Sequence, residues 1–263
     1  MSLPVVEAMQ FLERAKSGRN HPPILACQAG DELVEFYVKF RNGTETPKSS
    51  LIFEMLGVDV ARALGLLTAD PAIVHIGAEF CEGVEDSEMR TLLRANIGPN
   101  FGSKALAGGY GIFQVTDSLP PSDFRRAAEI FAFDAFVQNP DRKSRNPNLL
   151  IKGDEWRVID HEVAFSFARP LIGLQTSDEG PLMNLLQEHM FYRPLKGHDV
   201  DLDLFEKRFG QMLDSGILYE WISELPHAWT AGEDEVLDRI SKHFERMSKG
   251  RNDFLKLVKR VLQ

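Results

Sequence analysis

Residues 123–160 restrict what this chain can fold into more than any other stretch. Asp123 to Val137 spaces its apolar residues as a long helix does, and Asn139-Pro-Asp-Arg-Lys-Ser-Arg-Asn146 follows it at once. Strands over 148–152 and 156–159 then flank Gly153-Asp154, the pattern of a two-strand ribbon. The ribbon runs out into Asp160-His161-Glu162. Antiparallel pairing across the Gly153 turn would set the ends carrying Asn146 and Asp160 side by side, with both oxygens free to face one ion. Asp141 lies on the loop between helix and ribbon. Asp and Asn also form turns readily, and Asp141 after Pro140 would cap one, so the loop taken alone has a purely structural reading. Asp160 tips the balance, because a free carboxylate leaving an apolar strand has no packing reason to be there. Phosphoryl transfer requires this kind of set: one group to orient and accept the proton of an attacking hydroxyl, and oxygen ligands to hold magnesium against phosphates.

The rest of the chain supplies a strand-rich first part and a helical second part. The first eighteen residues carry Val5, Val6, Met9, Phe11, Leu12 and Ala15, a helical spacing closed by Gly18. His21–Gln28 and Glu32–Phe40 read as a hairpin turning at Ala29-Gly30-Asp31, and Ser50–Leu66 as an amphipathic helix. Ala72–Ile76 is a short strand, residues 82–95 a polar helix or loop, and the glycine-rich 96–111 an irregular segment before a strand at Ile112–Val115. Helices are predicted near 181–191, 201–215, 217–224 and 233–262. This order predicts an α+β fold with an N-terminal lobe over 1–117 and a helical C-terminal lobe over 118–263, meeting near 116–121.

Composition narrows the classes of function. The 263 residues suit one large domain or two packed lobes at ~100–200 residues per domain. A net charge of −9 argues against general affinity for nucleic acid. No apolar run is long enough for a membrane span and none resembles a secretory signal, so the expected compartment is the cytoplasm. Cys27 and Cys81 are too few for a disulfide scaffold or a thiolate zinc site, and their apolar neighbours suggest buried, inert thiols. His75, His161, His189, His198 and His227 lack transition-metal spacing. Positive charge concentrates in 239–260, where Val236, Ile240, Phe244, Met247, Phe254, Val258 and Val261 form an apolar stripe broken at Gly250-Arg251-Asn252. A helix pair with a solvated basic face fits that stripe better than a membrane or nucleic-acid surface.

The first half also holds partners for the Asp141 loop. Lys39 lies near the end of the second hairpin strand, on the face it shares with Tyr37 and Glu35, and Glu54 lies on the next helix. A lysine held by a helix glutamate can orient nucleotide phosphates; Glu45, in the Pro-flanked loop, is the alternative partner and would be held less rigidly. Glu162, alternating with Asp160, could serve as a second metal ligand or pair with an arginine.

Asn139-Pro-Asp-Arg-Lys-Ser-Arg-Asn-Pro-Asn-Leu-Leu150 with Val158-Ile-Asp-His-Glu162, preceded by Val38-Lys39-Phe40 and Phe101-Gly-Ser-Lys104, resembles the HipA-like kinases, in particular a branch without a DNA-binding partner domain. The resemblance covers about residues 20–165. It implies a two-lobed, protein-kinase-like fold using ATP and Mg²⁺, with Lys39 on the phosphates, Glu54 as its partner, Asp141 as catalytic aspartate, and Asn146 and Asp160 as metal ligands. No glycine-rich Gly-x-Gly-x-x-Gly precedes Lys39, so the turn at Gly30 would have to cover the phosphates, and Asp-His-Glu stands where protein kinases carry Asp-Phe-Gly. Phe101–Lys104 reads either as an anion-binding loop ending in Lys104 or as a tight turn. Adenine recognition would fall to backbone groups of Gln114–Asp117. The implied acceptor is a protein Ser or Thr hydroxyl; a small-molecule acceptor, or a silent nucleotide- or partner-binding module, are the alternatives.

Overall fold

The computed structural model describes residues 3–15, 21–42, 48–115, 118–169 and 179–263. Strands β1 (Val5–Arg14), β2 (Pro23–Ala29) and β3 (Glu32–Lys39) precede helix α1 (Ser49–Ala63). Strands β4 (Leu67–Thr68) and β5 (Pro71–Ile76), helices α2 (Ala78–Glu82) and α3 (Ser87–Arg94), and strands β6 (Gly98–Lys104) and β7 (Gly111–Ile112) follow. The second part begins with α4 (Phe124–Val137), β8 (Leu149–Lys152) and β9 (Glu155–Val158). It continues with α5 (Glu179–Gln187), α6 (Tyr192–Leu195), α7 (Asp203–Ser215), α8 (Ile217–Glu224), α9 (His227–Thr230) and α10 (Asp234–Leu262). The order is the predicted one of strands first and helices later.

Five strands close into a barrel in the order β1-β2-β3-β6-β5. Every pairing is antiparallel except the parallel contact of β1 with β5 that closes it. Val6, Leu25, Cys27, Phe36, Val38, Val74 and Ile76 fill the interior, and Cys81, Met89 and Leu93 extend that core under α2 and α3. A second sheet runs β4-β9-β8-β7. Helix α1 is buried at every position from Ser49 to Val58 and joins Ile73 and Phe101 of the barrel to α4 in the larger core. A helix apolar on all sides needs neighbours on all sides, and Glu54 is its one acidic residue within that run. Helix α4 is buried from Ala127 to Val137, and Phe136 meets the rings of Phe209, Phe244 and Phe254.

Three sequence expectations are corrected. The N-terminal segment is a strand, not a helix: β1 shifts register between Ala8 and Gln10 and again between Phe11 and Glu13. Those irregularities break the two-residue alternation of side chains and leave apolar residues at spacings that imitate a helix. Gly18, its expected terminator, lies outside the described residues. Residues 98–104 form β6, at the centre of the barrel between β3 and β5, rather than an irregular segment. A Cβ on Gly102 would come within 2.4 Å of Val74 Cγ2 and 3.1 Å of Phe36 Cδ1, so the glycine serves close strand packing. The strand expected at Ile112–Val115 is limited to Gly111–Ile112.

The basic C-terminal stripe forms α10, with its irregularity at Gly250 where the sequence places it. Val236, Ile240, Phe244, Phe254, Val258 and Val261 are buried. Arg239, Lys242, Arg251 and Lys256 pair with Glu235, Asp238, Asp214 and Asp253, which removes much of the apparent excess of positive charge. Among the described residues no helix is long and apolar enough to cross a membrane.

Candidate active site

The ribbon forms as its sequence requires. Leu149 pairs with Val158 and Lys152 with Glu155 around a turn in which Gly153 takes φ 55°. Pairing continues one step outward, where Ile159 N donates to Asn148 O at 3.0 Å. The segments leading to Asp141 and Asp160 therefore emerge together. Asn148 (φ 44°) and Asp160 (φ 60°) both adopt the left-handed region, which costs a non-glycine residue about 1–3 kcal/mol and marks a backbone held by its surroundings.

Lys39 Nζ reaches across from the barrel into this corner. It donates to Glu54 Oε1 at 2.5 Å, Asp160 Oδ1 at 2.6 Å and Glu162 Oε2 at 3.1 Å. Burial alone would lower its pKa, but these three carboxylates raise it well above the ordinary lysine value, so the ammonium stays charged. Glu54 is raised, by burial first and by Asp160 and Glu162 as well, with Lys39 pulling the other way. Burial also raises Asp160, yet Lys39 outweighs it and holds the carboxyl below its usual range. The other oxygen of Glu54, Oε2, accepts the backbone N–H of His161 at 3.0 Å, tying α1 directly to the Asp160 segment. Gly57, one helical turn on, makes room: a Cβ there would lie 2.5 Å from His161 Cβ.

Asp141 faces the same space. Its Oδ2 accepts from Asn146 Nδ2 at 2.7 Å and Asn148 Nδ2 at 3.2 Å. Burial, then the charge of Asp160, raises its pKa. The loop itself hangs on Arg142, a buried residue whose Nε donates to Asp134 Oδ2 at 2.5 Å. Nη1 of Arg142 donates to the carbonyls of Asn148 and, at 3.3 Å, Pro147. Asp134 also accepts from His189 Nε2 at 3.0 Å and Asn139 Nδ2 at 3.2 Å. Burial raises the Asp134 carboxyl, but Arg142 and His189 prevail and hold it below the ordinary carboxylate value.

A cleft of about 770 Å³ unites these groups. Lys39, Glu54, Lys104, Asp141, Asn146, Asp160 and Glu162 all line it. Lys104 has no ion-pair partner among the described residues. Gly30 is not among the lining residues; with φ 62° it closes the β2–β3 hairpin. Glu45 and the Thr116–Asp117 end of the expected adenine-reading segment lie outside the described residues. Phe101–Lys104 is strand rather than turn, and its Phe101, Ser103 and Lys104 border the cleft. Glu162 meets Lys39 through its carboxylate and Arg169 through its carbonyl oxygen, which accepts from Nη2 at 2.6 Å.

The donor set suits a hard divalent cation. Ligand oxygens of Glu54, Asp160 and Glu162 lie within 4.8 Å of one another, and three carboxylates against one ammonium leave a surplus of negative charge. No histidine or cysteine belongs to this group. The sequence pattern did not single out Asp134, Arg142 and His189 as a unit. The dipeptide Asp141-Arg142 was visible, but no spacing in the sequence links Asp134, within an apolar helical run, to Arg142 and His189.

An α+β chain with a lysine–carboxylate cluster facing a loop aspartate across one cleft has the parts of a phosphotransferase. The chain matches the family model described as HipA-like kinase over residues 8–254 and belongs to that family. Among solved structures, the Helicobacter pylori proinflammatory kinase CtkA aligns over 99% of this chain and 100% of its own, with 10% identity and a TM-score of 0.49. No curated protein sequence matches.

Proposed function

We propose that this protein is an ATP- and Mg²⁺-dependent kinase of two lobes, divided at residues 117 and 118, that phosphorylates a Ser or Thr hydroxyl of a protein. The observation that carries the reading is the position of Lys39, bonded at once to Glu54 and Asp160 in the cleft that Asp141 and Asn146 also line. Lys39 holds the nucleotide phosphates, and Glu54 fixes its otherwise flexible ammonium. Asn146 and Asp160 hold the metal, and Lys104 adds a positive charge at the rim. A magnesium ion held there would supply positive charge against the phosphates. Asn146 can serve two purposes, since its amide nitrogen donates to Asp141 while its carbonyl oxygen remains available as a ligand. Asp141 orients the acceptor hydroxyl and takes its proton. Burial and the charge of Asp160 raise its pKa, which makes it a better proton acceptor than an ordinary aspartate.

Incubation with γ-labelled ATP, Mg²⁺ and a cell extract, followed by mass spectrometry, tests the acceptor. Phosphate on Ser or Thr of a second protein is the expected result. Label found only on a metabolite would transfer the reading to a small-molecule kinase, and no Asp141-dependent label would remove it.

A further inference from the structure

The loop that carries Asp141 folds into a tight turn beyond it. Lys143 N donates to Asn146 O at 3.2 Å, and Asn146 N donates to Lys143 O at 2.9 Å. Ser144 and Arg145 are left at the tip, both exposed, and of the two only Arg145 lines the cleft. Its neighbour Asn146 bonds Asp141 Oδ2 through the side-chain amide at 2.7 Å, so the Arg145 stem starts beside the group that meets the acceptor hydroxyl. Other cations of the cleft are engaged: Lys39 by Glu54, Asp160 and Glu162, and Lys143 by Glu188. Arg145 has no hydrogen-bond or ion-pair partner among the described residues. Glu188 also feels its charge, but that carboxylate is already bonded to Lys143. Lys104, likewise without an ion pair, belongs to β6 and not to this loop.

A guanidinium with no partner to leave, on a turn closed by two backbone hydrogen bonds, is prepared to receive an anion. Its planar fork matches a carboxylate in two parallel hydrogen bonds. The fixed turn limits the order lost on binding. An extended acceptor chain advances about 3.3 Å per residue, so side chains within about three positions of the hydroxyl at Asp141 pass close to this turn. We propose that Arg145 selects the acceptor, binding an Asp or Glu side chain that lies within about three positions of the phosphorylated Ser or Thr. The inference rests on the protein-kinase reading given above and adds to it a substrate class, acceptors with acidic flanks. Arg145 acts here by binding and not in the transfer step, which remains with Asp141.

Phosphosite mapping by mass spectrometry tests this in a cell extract first treated with phosphatase, which leaves Asp and Glu as the acceptor's anions, and then heated to silence its own enzymes. The full chain is added with ATP and Mg²⁺ as the parent, Arg145→Lys or Arg145→Glu. The parent should label Ser and Thr flanked by Asp or Glu in excess of their share of the extract, and Arg145→Lys should keep that preference. Arg145→Glu should lower labelling of those sites at least about 5-fold, as a reversed exposed ion pair implies, while calorimetry shows its ATP binding unchanged. Labelled sites without acidic neighbours, or acid-flanked sites labelled equally by Arg145→Glu, refute the role of Arg145 and leave the kinase reading standing. A loss of ATP affinity that matches the loss of labelling would assign Arg145 to the nucleotide and overturn the proposal. If the parent labels no protein, the protein-kinase reading falls and this inference falls with it.

Discussion

Replacing Arg142 with methionine is the perturbation whose outcome the structure specifies most fully. Methionine keeps an unbranched apolar stem and deletes the guanidinium, so the packing change is small beside the electrostatic one. Asp134, 0% exposed, would keep only His189 and Asn139 as partners and lose the cation 2.5 Å away. Removing one member of a buried ion pair costs about 3–5 kcal/mol, because the remaining charge cannot return to water. The carbonyls of Pro147 and Asn148 lose a donor as well, at about 1–3 kcal/mol if the loop does not relax. These costs overlap, and a net loss of about 4 kcal/mol is a large share of the ~5–15 kcal/mol that holds a domain folded. Urea unfolding of Arg142→Met, of Asp134→Leu and of the double variant measures it. The double variant, which buries no lone charge, should be more stable than the sum of the single losses requires. Strict additivity, or an Arg142→Met loss under about 1 kcal/mol, would refute the argument that this pair anchors the Asp141 loop.

Two further outcomes follow from groups outside the cleft. Burial, aided by Arg246, depresses the pKa of His243 to about 3, while its Nε2 bonds Phe136 O at 2.9 Å. A histidine whose folded pKa lies below its unfolded value near 6.5 stabilises the fold fully above that value and loses the contribution as pH falls toward 3. Between pH 7 and pH 5 this amounts to about 2 kcal/mol, and His243→Gln should flatten the pH dependence of urea stability by that amount; an unchanged slope would contradict the assignment. Gly102→Ala forces a Cβ within 2.4 Å of Val74 Cγ2 and should cost about 1–3 kcal/mol. Adding Val74→Ala should restore part of the melting temperature, whereas a double variant less stable than Gly102→Ala would show that the clash is not the cause.

The ribbon and the polar residues flanking it were legible because their geometry is local. A two-residue turn fixes which residues pair, and pairing fixes where Asn146 and Asp160 emerge. Glu54 was legible as a candidate from its order after Lys39, but the second bond it makes, to the His161 amide, depends on tertiary packing that no spacing encodes. Strands β1 and β6 were misread for opposite reasons. In β1 the register shifts blur a real alternation, and in β6 Gly98, Pro99, Gly102 and Ser103 present almost none, since the barrel needs small residues where its strands approach closely. The buried Asp134–Arg142–His189 group was hidden for a further reason: its members are 8 and 47 residues apart along the chain and look like ordinary polar positions. The C-terminal helix, read from its apolar stripe alone, kept both its buried face and its interruption at Gly250.

Calorimetric titration of ATP with and without Mg²⁺, applied to the parent, Asp160→Asn and Asp141→Asn, tests the proposed division of labour in the cleft most directly. The parent should bind ATP more tightly with Mg²⁺, Asp160→Asn should lose that metal dependence, and Asp141→Asn should bind like the parent while transferring no phosphate. No binding by the parent at millimolar ATP, or binding and transfer by both variants equal to the parent's, would contradict the account.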